Sequence, residues 1–161
     1  MTRYDVSNQA TIAATPAEIV GAFLAEAAGR SQWWEPSVRM RQRGSRPLPE
    51  LGAAVDITVA GGGGPLGWTA RFTGRVIAFE PDRRLVLEYF DGDFRGTDEW
   101  TVEPVDAGHT RVTTRWRTEP QGAVRLAARL VDIPGSYSKV MRAGFRAIER
   151  FAGQERAKSE A

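Results

Sequence analysis

Between Val38 and Arg117 side-chain polarity alternates with a period of two, and the apolar runs are separated by breaks too short for anything but a chain reversal. The breaks are Gly61-Gly62-Gly63-Gly64-Pro65, Pro81-Asp82-Arg83, Asp91-Gly92-Asp93 and Asp106-Ala107-Gly108, all built from turn-forming residues. Parallel neighbours need long crossovers, so these strands must pair antiparallel. Strands are expected at Val38–Arg43, Ala53–Ala60, Trp68–Phe79, Arg84–Phe90, Phe94–Glu103 and Thr110–Arg117, with an earlier one at Tyr4–Ile12. That makes a seven-stranded antiparallel sheet.

Helical signals flank the sheet. Thr15-Pro16-Ala17-Glu18 reads as a capping box with proline in the first helical turn. Ile19, Val20, Phe23, Leu24 and Ala27 follow as a helical stripe, ended by Gly29. Ser31 is placed to cap a second short helix carrying Trp33 and Trp34, stopped by Pro36. After Pro120 the period returns to 3.6. Val124, Leu126, Leu130, Ile133, Tyr137, Val140, Met141, Phe145, Ile148 and Phe151 mark a long amphipathic helix, which Pro134-Gly135 should kink or split. The class is therefore α+β: a greasy sheet face and a greasy helix bury each other, and a sheet curved around the helix leaves a pocket between them. Residues 1–153 are expected to form one ligand-binding domain and residues 154–161 a frayed polar tail.

Composition excludes several chemistries. There is no cysteine, which removes disulfides, thiol nucleophiles and thiolate metal sites. A lone histidine, His109, argues against a metal cluster or a Ser-His-Asp triad, and its place beside a turn suggests exposure. No cofactor or metal is expected. The net charge of +2 comes from interspersed acids and arginines, so nucleic acid is not an expected partner. No apolar run is long enough to span a membrane and none follows Arg3 as a leader would, which makes the cytoplasm the expected location. The glycine run joins two strands and lacks a following Gly-Lys-Ser/Thr, so it is a hairpin tip and not a phosphate loop.

Sorting each strand by face sends Asp56, Arg71, Arg75, Glu88, Arg95, Glu99, Glu103, Arg111, Arg115 and Arg117 outward, as cross-strand charge pairs. Arg39, Arg41 and Arg43 protect a sheet edge. The inner face is apolar except for Tyr89, Asp98 and Thr114, joined by Tyr137 from the helix. The candidate ligand-binding residues are Trp68, Phe72, Tyr89, Trp100, Thr114 and Trp116 from the sheet, with Tyr137, Met141 and Phe145 from the helix. Asp98 is the candidate acid/base. A carboxylate facing a greasy interior is costly, so either it serves the pocket, or a bulge turns it away, or a structural partner such as Tyr137 satisfies it. Trp33 and Trp34 should pack against the sheet edge, with one of them in reach of the pocket. The 61–64 tip, the 91–93 turn and the 119–122 link fall at one end of the meander and form the expected mouth.

The element order, Ala13-Ala14-Thr15-Pro16-Ala17-Glu18 leading into the first helix, the tryptophan pair and the turn Glu80-Pro81-Asp82-Arg83-Arg84-Leu85 together resemble the START-related polyketide cyclase (SRPBCC) superfamily. So do the run Arg95 to Pro104 and Thr110-Arg111-Val112-Thr113. The likeness covers roughly residues 4–152 and implies the pollen-allergen-like helix-grip fold. That superfamily includes cyclases, aromatases, lipid carriers, hormone receptors and chaperone activators, and has no common catalytic motif to carry over. Three expectations follow. The first is binding of a small, largely apolar polyketide-, lipid- or aromatic-like molecule. The second is cyclase or aromatase chemistry, and the third a chaperone-activator-like interaction module.

Overall fold

The computed structural model describes residues 3–61 and 68–161. In chain order the elements are β1 (Tyr4–Ile12), α1 (Pro16–Ala27), β2 (Val38–Arg43), β3 (Ala54–Gly61), β4 (Trp68–Glu80), β5 (Arg84–Gly92), β6 (Phe94–Asp106), β7 (His109–Pro120), α2 (Gly122–Ala127) and α3 (Ile133–Ser159). The strands form one antiparallel sheet in the order β1-β7-β6-β5-β4-β3-β2. Short hairpins account for most of that order. The exception is β1, which pairs with β7 and leaves β1 and the arginine-rich β2 as the two edges. Bulges in β4 between Thr73 and Gly74 and between Val76 and Ala78 bend the sheet.

The capping box forms as the sequence predicts. Thr15 Oγ1 accepts from Glu18 N at 3.2 Å, and Thr15 N donates to Glu18 Oε1 at 2.9 Å. The helix stripe of α3 buries Tyr137, Val140, Met141, Phe145 and Ile148 against the concave sheet face. The outer face carries the expected pairs, including Arg115–Asp5 at 2.9 Å and Arg84–Glu99 at 2.7 Å. They lie on the solvent face, exposed or half-buried, and each contributes little.

Of three local expectations, two are corrected and one, the split at Pro134-Gly135, is borne out. The second short helix between β1 and β2 does not form: residues 33–37 are turn. The buried carboxylate of Glu26 accepts from Trp33 N at 3.0 Å and from Ser31 Oγ at 3.3 Å, which ties this segment to the end of α1. A stretch this short cannot offset the cost of helix nucleation against such bonds. Second, Pro134-Gly135 splits the helical region by starting α3. Asp132 caps it, accepting from Gly135 N at 3.0 Å, and Pro134 lies in the first turn, where its missing N–H costs nothing. Third, α3 does not end near Gly153 but continues to Ser159. Arg156 explains the extension, donating to Glu18 Oε2 at 2.7 Å and to Ala13 O at 2.8 Å.

Candidate functional site

Between the concave face and α3 lies a small cavity. Its walls include Phe72, Tyr89, Phe94 and Trp116 from the sheet, Met40 from β2, and Tyr137, Val140 and Met141 from α3. The free space is about 40 Å³, room for about one water molecule and far below the roughly 300 Å³ at which small-molecule sites begin. The free space is therefore too small for such a ligand, which enters only if side chains move. Met40 and Met141 suit that, because a methionine has three rotatable bonds and no branch to lock its packing.

Among the described residues Asp98 is the one charged residue in the wall, and it is 7% exposed. The β6–β7 register runs unbroken past it, opposite Trp116, so no bulge turns it away. Tyr89 OH donates to Asp98 Oδ2 at 3.0 Å and Trp100 Nε1 donates to the same oxygen at 3.2 Å. Among the described residues Oδ1 has no hydrogen-bond partner. The Tyr137 hydroxyl is close to Asp98 and Thr114 but completes no well-formed hydrogen bond. Burial pushes the Asp98 carboxyl up to about 6, against the opposing pull of its hydrogen-bond donors. Burial and the neighbouring carboxylate hold both Tyr89 and Tyr137 well above the usual phenol range, so they remain donors.

Local geometry explains how these groups come together. Gly74 on β4 leaves room for the Tyr89 ring, since a Cβ there would lie 3.2 Å from Tyr89 Cδ1. Trp116 stacks on Tyr137 at 4.2 Å and on Tyr4 at 5.9 Å, which joins β1, β7 and α3 through one column of rings. On the far side, Gly144 of α3 gives the Trp34 indole a seat, and Trp34 Nε1 donates to Val140 O at 3.2 Å.

Of the sequence-predicted residues, Trp68, Phe72, Tyr89, Asp98, Trp116, Tyr137 and Met141 lie in the cavity wall. Trp100, Thr114 and Phe145 do not; they are buried beside it. The Trp100 ring turns away to pack on Phe23 at 5.2 Å and Phe145 at 6.1 Å, so it reaches the site only through its N–H. Thr114 sits deeper in the same face, fully buried. Sequence reasoning missed Phe23, Met40 and Val140, whose place in a helical stripe or edge strand marks them only as apolar. Of the tryptophan pair, Trp34 reaches the cavity, stacked on Trp33 at 5.2 Å. Asp93 and Gln121 of the expected mouth are neighbours, with Gln121 N donating to Asp93 O at 2.8 Å. Residues 62–64 of the glycine tip lie outside the described residues. His109 is at the other end, exposed and bonded to Asp106 at 2.8 Å.

A curved antiparallel sheet closed on one long helix, with an aromatic-walled cavity between them, defines a helix-grip domain. The comparisons with known proteins agree. The chain belongs to the polyketide cyclase / dehydrase and lipid transport family, whose model matches residues 3–152. Among solved structures it is similar to the Zhui aromatase/cyclase from Streptomyces sp. R1128, with TM-score 0.69 and 15% identity over 95% of each chain. It is also similar to the major latex-like protein 151 of Panax ginseng, with TM-score 0.68 and 13% identity over 93% of this chain and 97% of that one. A protein of Thermus thermophilus gives TM-score 0.70 and 14% identity over 94% of this chain and 99% of that one. At such identities the likeness is one of fold. No curated protein matches the sequence.

Proposed function

We propose that this chain binds a small, largely apolar molecule, flat enough to stack on Trp116 and Tyr137 and carrying one hydroxyl or enol directed at Asp98. The observation that carries this reading is the pairing of an apolar wall with one buried acid whose second oxygen has no partner among the described residues. An unpaired buried polar atom costs free energy, and a ligand hydroxyl donating to Oδ1 while accepting from Tyr137 would recover it. Membership of a family described by cyclisation, dehydration and lipid transport supports an apolar ligand.

Cyclase-type acid–base chemistry is the second reading, and a carboxyl that titrates near 6 is the observation that favours it. One pair of ligands and one variant separate the two. Tryptophan fluorescence reports binding, because Trp34, Trp68 and Trp116 line the cavity. Naphthol is expected to bind roughly 10-fold or more tighter than naphthalene, the worth of a hydrogen bond to a charged group. Asp98→Asn should remove most of that preference if Asp98 only binds. If Asp98 is a general base, the variant keeps affinity for the true substrate and loses about 100- to 10,000-fold in turnover. Equal affinity for the two probes would remove the role of Asp98 as polar anchor, and binding of neither would remove the cavity as a site.

A further inference from the structure

Outside the cavity, the most unusual surface of the molecule is the link from α2 into α3. Leu126 is 67% exposed and Leu130 is 91% exposed, while Arg125 and Arg129 beside them also face outward. Beyond α2 the chain continues in tight turns, with Ala128 N donating to Val124 O at 2.8 Å, Leu130 N to Ala127 O at 2.9 Å and Val131 N to Ala127 O at 3.0 Å. Both leucines and both arginines therefore sit exposed on one short, compact stretch of surface. The opposite side is already used: Val124, Ala128 and Val131 pack against the core. From Gly122 to Val131 there is no acidic residue, and among the described residues neither arginine joins an ion pair.

We propose that this segment docks the protein on an anionic lipid surface, with Leu126 and Leu130 inserted between head groups and Arg125 and Arg129 against their phosphates. The apolar patch amounts to two side chains, too little for a stable protein interface of about 1,000 Å². It suits shallow insertion into a membrane surface, where a few apolar side chains and a few positive charges act together. Position argues the same way. Tyr137 of the cavity wall lies one helical turn beyond Ile133, where α3 begins. A docked segment would place the cavity next to the source of an apolar ligand. The docking rests on this surface alone and stands or falls separately from the ligand of the cavity.

Co-sedimentation of the full chain with vesicles tests it. Binding is expected to vesicles of phosphatidylcholine with about 30% phosphatidylglycerol and not to pure phosphatidylcholine, and to weaken with added salt. Leu126→Ser with Leu130→Ser should reduce partitioning about tenfold, and Arg125→Gln and Arg129→Gln should each reduce it about fivefold. Leu51→Ser, an exposed leucine in the β2–β3 connection at the other end of the sheet, should change nothing. All of these sites are exposed, so melting temperatures should hold and a misfolded variant is recognisable. The proposal is overturned if wild type binds neither vesicle, or if the double leucine variant binds as well as wild type. It is equally overturned if sedimentation shows a dimer that the leucine variant abolishes, because a second copy would then cover the patch.

Discussion

Between pH 3.8 and about 6 Asp98 holds a proton that the unfolded chain would release. Its carboxyl titrates near 6 in the fold against an ordinary 3.8, because burial disfavours the charge more than Tyr89, Trp100 and Tyr137 favour it. The folded state thus binds this proton more tightly. The resulting contribution to stability is fully present below pH 3.8 and is lost as pH rises through about 6. Above that, keeping the charge buried costs about 3 kcal/mol. Both hydrogen bonds at Asp98 end on Oδ2, so the single carbonyl oxygen of asparagine can accept them. Asp98→Asn is therefore expected to match wild type near pH 4 and to be more stable by roughly 1–3 kcal/mol at pH 8, measured by urea unfolding at both pH values. A stability difference independent of pH would show that Asp98 is already satisfied as a carboxylate. The same alternation along β6 that placed Asp98 on the inner face in the sequence could not reveal Tyr89 as its donor, because that partner arrives from another strand.

At the scale of elements, α3 and the tryptophan turn are held together by a missing side chain. A Cβ on Gly144 would lie 2.7 Å from Trp34 Cε2 and Nε1, and the indole is already stacked on Trp33 and edge-on to Trp100. Gly144→Ala should cost about 1–3 kcal/mol through overpacking, despite the better helix propensity of alanine. Trp34→Phe in the same chain should restore part of the loss, since the two changes touch and do not add. Chemical denaturation of both single variants and the double variant measures the coupling; strict additivity would mean that the helix relaxes away from the ring. Nothing in the periodicity of α3 distinguishes Gly144 from Gly153, another glycine of the same helix with open space around it. The sequence showed a helix stripe, and the seat for Trp34 appeared only once the turn after α1 was folded onto it.

For the whole molecule the governing fact is that an apolar cavity of about 40 Å³ lies between the sheet and a 27-residue helix. A ligand that binds there binds only the folded state. At 100 times its Kd it should add about 2.7 kcal/mol, which for a domain of this size raises Tm by roughly 5–10 °C. Differential scanning calorimetry with naphthol measures the shift. A ligand that quenches tryptophan fluorescence yet leaves Tm unchanged would be binding the unfolded chain as well, and the cavity would not be its site.

The sequence by itself determined the sheet, its antiparallel pairing, the sorting of its faces, the capped first helix and the long amphipathic one. All of these follow from repeats and turn residues a few positions apart, which act locally whatever the rest of the chain does. Only the tertiary structure decided which inner residues surround free space. Trp100 and Trp116 alternate identically along paired strands, yet the first packs beneath α1 and the second walls the cavity. That choice depends on the bend put into β4 by its bulges and on where Gly144 lets α3 settle against Trp34. A cavity is the small remainder left when large side chains from distant segments fill one volume, and no local pattern encodes a remainder.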